Sequence, residues 1–174
     1  IYYWSVQAID GSYKASAFAS EATATISATF TNAAVALQPI DNAACWGDFD
    51  GDDDLDLLLT GSESSTVYRN DGGPFTALSA GLPGVDYSAA AWGDYDNDGD
   101  LDFVLAGCNG GGYITLIYRN DSGAFVDIGA GLTGVCGALL AWGDCDNDGD
   151  LDLLVAGATG SDIVSLVYAN NGGF

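Results

Sequence analysis

Histidine and methionine are absent from this 174-residue chain, Lys and Arg together number 3, and proline also occurs 3 times. Without histidine the commonest general base and transition-metal ligand is missing, and no Ser-His-Asp or Cys-His arrangement exists. The scarcity of positive charge, 3 against 25 Asp and Glu for a net charge of -22, disfavours binding to nucleic acid backbone or to an anionic membrane surface. Both demand clustered Lys or Arg. No apolar run approaches the roughly 20 residues of a membrane helix, so no membrane insertion is expected. With no Met, Ile1 at its head and no signal peptide, the chain reads as less than a primary translation product, any export signal lying upstream. A hydrophobic content of 48% with 25 Gly argues against disorder. Small and β-forming residues separated by Gly, Asn and Asp turns predict many short strands.

The negative charge is concentrated. Asp48 to Asp56 reads DFDGDDDLD, Asp94 to Asp102 reads DYDNDGDLD, and Asp144 to Asp152 reads DCDNDGDLD. These stretches hold 6, 5 and 5 acids, so 16 of the 25 lie in them. Alternate carboxylates on a tightly turning backbone converge on a hole of about a cation's size. A hard divalent ion takes about 6–8 oxygens, and a flexible acidic loop suits Ca²⁺ better than the stricter octahedron of Mg²⁺. Without an ion, so many close aspartates would repel, whereas a solvated acidic turn needs no fixed spacing. The prediction is three Ca²⁺ sites, which would bring the formal charge from -22 to -16.

In chain order, residues 1–10 (IYYWSVQAID) alternate with period two and predict a half-buried strand, turning at Asp10-Gly11-Ser12. Tyr13–Ala19 and Ala22–Phe30 could continue that sheet. Beyond residue 30 the chain repeats. Trp46, Trp92 and Trp142 are spaced 46 and 50 apart, each followed by Gly-Asp, and Tyr68, Tyr118 and Tyr168 recur every 50 residues, each with Asn two positions on. A period of about 40–50 residues with four strands is the signature of propeller blades. One unit parses as strands at Tyr87–Gly93, Leu101–Gly107, Tyr113–Asn120 and Ala124–Ile128, then a connector from Ala130 to Val135.

AAAWGDYDNDGDLDFVLAG, then LIYRNDSGAF, then GLTGV, resembles the FG-GAP/VCBS repeat that also forms the blades of integrin α-subunit propellers, over about residues 30–174. The resemblance implies an all-β fold of four-stranded antiparallel propeller-type blades, the acidic loop joining the first and second strands of each. It carries the ligand role onto the first, third, fifth and ninth loop residues: Asp48, Asp50, Asp52 and Asp56; Asp94, Asp96, Asp98 and Asp102; Asp144, Asp146, Asp148 and Asp152. The seventh residues, Asp54, Asp100 and Asp150, would contribute a backbone carbonyl. Asp53 stands where the other loops have Gly99 and Gly149, so a left-handed conformation there would weaken the first site. The run YYWSVQAID, a turn, then SAFASEATATI resembles the last two strands of a fibronectin type III domain, an Ig-like β-hairpin. The organisation is then 1–26 fibronectin III-like strands and 27–174 repeats, with a partial blade at 27–40, blades at 41–80 and 86–130, and an incomplete blade at 136–174.

Other residues carry structural expectations. The three Trp are core aromatics between blades rather than a sugar-stacking platform. Phe49, Tyr95 and Cys145 cover the apolar side of each metal site. Arg69 and Arg119 pair with loop carboxylates or brace a turn. Cys108 and Cys136 fall on the end opposite the acidic loops, where a disulfide is feasible, and Cys45 and Cys145 read as buried thiols. Asn120-Asp121-Ser122 is a glycosylation sequon. Phe174 aligns with Phe125, Phe75 and Phe30, so the last unit stops where its fourth strand should begin and Ala24–Phe30 is a fourth strand without its first three. Unpaired strand edges are costly. Flanking modules of the same polypeptide, or other copies adding a strand, would satisfy them. The function expected is that of a non-enzymatic, calcium-rigidified, exported β-repeat module of bacterial type, on a cell surface or in a fibre. The alternatives are a carbohydrate-binding module or a non-catalytic appendage of a secreted enzyme, with glycans or surface proteins as further partners.

Overall fold

A computed structural model describes residues 31–172. The fibronectin-like strands and the alignments of Phe30 and Phe174 lie outside them. The chain divides into two compact units, Ile1–Ala34 and Val35–Phe174, and the described part of the second consists of three antiparallel sheets. The first joins β1 (Ala44–Gly47), β2 (Asp56–Leu59), β3 (Thr66–Arg69) and β4 (Thr76–Leu78). The second joins β5 (Asp86–Gly93), β6 (Asp102–Asn109), β7 (Gly112–Asp121) and β8 (Ala124–Asp127). The third has β9 (Cys136–Gly143), β10 (Asp152–Ala158) and β11 (Ile163–Tyr168), with β10 central and no fourth strand among the described residues. Spatial order follows sequence order in every sheet, so each is an up-and-down blade. No helix occurs among the described residues, and none is long and apolar enough to cross a membrane.

The blades stack face to face, which explains why β6 reads as an unbroken apolar run. Successive side chains of a strand point to opposite faces. Phe103 and Leu105 enter one core with Leu58 and Val67 of the first blade, and Val104 and Ala106 enter another with Leu153 and Val155 of the third. Both faces are buried, so both need apolar residues.

Aromatic rings from the turns complete each interface. Phe49 stacks on Trp92 at 6.1 Å and meets Phe125 edge-on at 5.3 Å, while Tyr95 stacks on Trp142 at 6.4 Å. Each of these indoles also donates backward, Trp92 Nε1 to the Cys45 carbonyl (3.3 Å) and Trp142 Nε1 to the Ala91 carbonyl (3.1 Å). The glycine of each Trp-Gly pair makes room for the next ring: a Cβ on Gly47 would stand 2.7 Å from Cδ1 of Trp92, and one on Gly93 2.6 Å from Cδ1 of Trp142. Two of the sequence expectations change here. Phe49 and Tyr95 plug the space between blades instead of lidding their own acidic loops. Trp92 and Trp142 are interblade aromatics, but Trp46 is 57% exposed because no blade lies behind it among the described residues.

The strand ends away from the acidic loops are tied covalently. Cys108, at the end of β6, is bonded to Cys136, at the start of β9, with Cα atoms 5.1 Å apart, inside the usual window for a bridge. The bond links the second blade to the third across 28 residues. Of the other two cysteines, Cys45 is half-buried and burial pushes its thiol up to about 12, whereas Cys145 is exposed, contrary to expectation. Reduction, or a Cys108→Ser/Cys136→Ser double variant, should lower stability by about 2–4 kcal/mol in urea melts. Carbamidomethylation of both residues without prior reduction would contradict the pairing.

Candidate metal centre

The acidic loops join the first and second strands of each blade, and their shape follows from their own side chains. The first aspartate folds the turn around its carboxylate. Asp48 accepts N–H bonds from Gly51, Asp52 and Asp53 (2.8, 3.1 and 3.0 Å), Asp94 from Asp98 and Gly99 (both 3.1 Å), and Asp144 from Asp148 and Gly149 (both 3.2 Å). This is Asx-type turn chemistry. It needs two left-handed residues per loop. The sixth position has φ of 70° at Asp53 and 98° at Gly99 and Gly149, and the fourth has 72° at Gly51, 59° at Asn97 and 62° at Asn147. Gly and Asn tolerate that region best, so Asp53 carries the strain expected of it. The demand at the fourth position went unread in the sequence.

The ninth aspartate is the anchor. Asp56, Asp102 and Asp152 are buried at the starts of their second strands. Each accepts through one oxygen the N–H of the second loop residue: Phe49 at 2.9 Å, Tyr95 at 3.1 Å and Cys145 at 2.8 Å. The other oxygen accepts the N–H of Asn70, Asn120 or Asn170 at the end of the third strand, at 2.8 Å in each case. One carboxylate thus pins loop, second strand and third strand together.

Three carboxylates then converge in every blade. Ligand oxygens of Asp48, Asp50 and Asp56, of Asp94, Asp96 and Asp102, and of Asp144, Asp146 and Asp152 lie within 4.8 Å of one another. These are the first, third and ninth positions. The fifth residue lies outside these triads, and its Oδ1 shapes the turn: that of Asp52, Asp98 and Asp148 accepts the N–H of the seventh residue, Asp54, Asp100 or Asp150, at 2.9, 2.9 and 3.0 Å. Asp52 also joins a further cluster with Asp50 and Asp71. Among the seventh residues, Asp150 accepts from Asn97 Nδ2 at 2.8 Å, linking the second and third loops.

Electrostatically the triads lack positive charge. Burial, the largest effect, pushes the Asp102 carboxyl up to about 7, against the N–H bonds from Asn120 and Tyr95 and with help from Asp96 and Asp98. Burial likewise raises Asp50, Asp56, Asp96 and Asp146, with neighbouring carboxylates adding to it. Asp152 is lowered instead, first by a hydrogen bond with the Cys145 side chain and then by the N–H groups of Cys145 and Asn170. Among the described residues no following blade covers the third loop. Asp96 Oδ1 is closed off from solvent and accepts no hydrogen bond. A buried carboxylate oxygen with no donor, inside a triad of hard oxygens, fits a bound cation. The arginines supply only a little of the charge: Arg69 pairs with Asp71 at 3.0 Å and Arg119 with Asp121 at 2.8 Å, both exposed and bracing the turn after the third strand, and their pull on Asp50 and Asp96 is weaker than the burial that raises those carboxyls.

The Tyr-x-Asn asparagine marks the repeat in the sequence, and Asn120 also opens a sequon, but neither pattern gives it a bonding role. Asn120 is fully buried, and its Nδ2 donates to the Leu101 carbonyl at 3.1 Å and to the Phe49 carbonyl of the preceding loop at 2.9 Å. It offers no acceptor for a glycan. Asn170 Nδ2 donates in the same way to the Tyr95 carbonyl at 2.7 Å. Its 50-residue recurrence was the available signal.

A family model of FG-GAP-like repeats matches residues 48–105 and again 94–155, together more than half of the chain. The chain belongs to the FG-GAP-like repeat family. Each match begins on the first aspartate of a loop and runs into the second strand after the next loop, so the family pattern is the loop-to-loop unit described above. FG-GAP-like repeats are non-catalytic and structural, and typically occur in extracellular proteins. No curated protein and no solved structure matches the chain significantly.

Proposed function

We propose that this FG-GAP-like chain is an extracellular structural or adhesion module rigidified by calcium, acting within a larger surface protein or as the subunit of a fibre whose chains complete one another by strand addition. The observation that carries the calcium reading is the Asp94, Asp96 and Asp102 triad, with an Asp96 oxygen buried and without a donor. Carboxylate donors in a turning loop favour Ca²⁺ over softer or more rigidly octahedral ions.

A bound Ca²⁺ supplies the positive charge that three clustered carboxylates lack. The chain's own residues transmit the effect. Asp102 holds Tyr95 N–H and Asn120 N–H, and Asn120 holds the carbonyl of the preceding loop. Ordering one triad therefore tightens both its own hairpin and its junction with the blade before it. This is a stabilising role; no helix pair or other switch element adjoins the loops among the described residues.

Isothermal titration of chelator-treated protein should give heat with CaCl₂ at dissociation constants of about 10⁻⁴–10⁻³ M, as for extracellular modules, and weaker binding with MgCl₂. Absence of calcium binding would remove the reading. A second reading, carbohydrate binding, is favoured by Tyr87 and Tyr113, both exposed at the end of the second blade away from the acidic loops. A glycan array on the calcium-loaded chain tests it, and specific hits lost in Tyr87→Ala and Tyr113→Ala would support it.

A further inference from the structure

The two blade junctions repeat the same arrangement, and the outer faces of the first and third blades carry its two halves without partners among the described residues. On the leading side, positions that are sealed in the first two blades are open in the third. Leu58 and Val104 are 0% exposed but Leu154 is 40%, and Val67 and Ile117 are 0% and 7% but Val167 is 61%. Cys145, exposed, stands where Phe49 and Tyr95 are buried. Gly143 completes the pattern. The space above Gly47 and Gly93 holds the indole of the following blade, whereas no atom lies within 4 Å of a Cβ placed on Gly143.

The trailing side of the first blade presents the matching half already assembled. Trp46 and Phe75 lie 6.1 Å apart at 59°, nearly the geometry of Trp92 and Phe125, 6.0 Å at 56°, which plug against Phe49. Leu37 packs there on Leu57, Leu59 and Tyr68, in the place taken at the two internal junctions by Leu82 and Leu132. Gln38 N–H donates to Tyr68 Oη at 3.0 Å, as Thr133 N–H does to Tyr168 Oη. Asn70 Nδ2 donates to the Leu55 carbonyl as Asn120 does to Leu101, and meets no preceding loop among the described residues.

We propose that the first blade of a second copy of this chain docks on the third-blade face, head to tail. Its Trp46 enters the recess over Gly143 and donates to the Ala141 carbonyl, and its Asn70 donates to the Cys145 carbonyl. The face of one copy and the plug of the next reproduce the pairs Gly47–Trp92 and Gly93–Trp142. The interface is heterologous, so it extends into an open series unless its rotation closes a ring. The inference deepens the fibre reading and rests on it, but it adds a blade face to the strand edge as the surface that joins copies.

Sedimentation velocity on the full chain in calcium tests it, with variants Trp46→Ala and Gly143→Val. The wild type should show average mass rising with concentration. Each variant should associate roughly tenfold or more weakly, as for a buried aromatic anchor, with its melting temperature equal to wild type at concentrations where both are monomeric, since Trp46 is exposed and Gly143 has open space. Trp46→Ala keeps the recess and Gly143→Val keeps the indole, so an equimolar mixture should form dimers that do not extend. Association equal to wild type in both variants would overturn face docking and point to strand addition alone. A mixture that stays monomeric would also overturn it. A wild type monomeric at every concentration but stabilised by calcium would overturn docking while leaving the calcium-stabilised module standing.

Discussion

Asp102→Ala is expected to destabilise the protein by about 2–6 kcal/mol, among the largest single-residue effects available to it. The carboxylate is 0% exposed and accepts from Tyr95 N–H and Asn120 N–H. Truncation leaves two buried donors unpaired, at about 1–3 kcal/mol each. Asp102→Asn keeps the volume but turns an amide N–H₂ toward one of those donors, so it should rescue only part of the loss. Asp102 is also a triad member, so Asp102→Ala should abolish calcium dependence at the second loop. Urea denaturation in calcium measures both variants; a midpoint for Asp102→Ala equal to wild type would refute the anchoring role.

How far the sequence foretells these features depends on what the residues contact. Within a blade the signals are local and legible. The parse of strands at Tyr87–Gly93, Leu101–Gly107, Tyr113–Asn120 and Ala124–Ile128 lies within a residue or two of β5 to β8, because period, turn residues and loop spacing all act along the chain. The triads at first, third and ninth positions were legible for the same reason. What happens between blades was not. Phe49 and Tyr95 sit inside acidic loops in sequence but pack in space on Trp92 and Trp142 of the next blade. Asn120 hides behind a sequon while bridging to a residue 71 positions away. Cys145 reads as a buried apolar residue by analogy with Phe49 and Tyr95, and is exposed because no blade covers its face among the described residues. The fifth aspartate is a different case: acidity and spacing alone do not reveal that its oxygen is taken by the seventh residue's N–H.

The second large effect expected is loss of thermal stability on calcium removal. Each loop packs 5 or 6 acids into nine residues, and in the half-buried second triad Asp102 and Asp96 are already pushed upward by burial and by their neighbours. An ion that binds only the folded chain stabilises it by about 1.4–2.7 kcal/mol per site at 10- to 100-fold excess over the dissociation constant. In a chain of this size about 1 kcal/mol moves the midpoint by roughly 2–4 °C, so a single filled site is worth roughly 3–10 °C. The effect should reach the interblade junctions through Asp102 and Asn120, so secondary-structure and tryptophan signals should shift together.

Calcium in these loops is proposed to hold the blades in place. Differential scanning calorimetry of the wild-type chain in about 10 mM calcium, roughly 10- to 100-fold above those dissociation constants, and again after exchange into chelator tests this. The midpoint should be lower by several degrees or more in chelator, restored by calcium and not by equimolar magnesium. Superimposable melts in calcium and in chelator would contradict it.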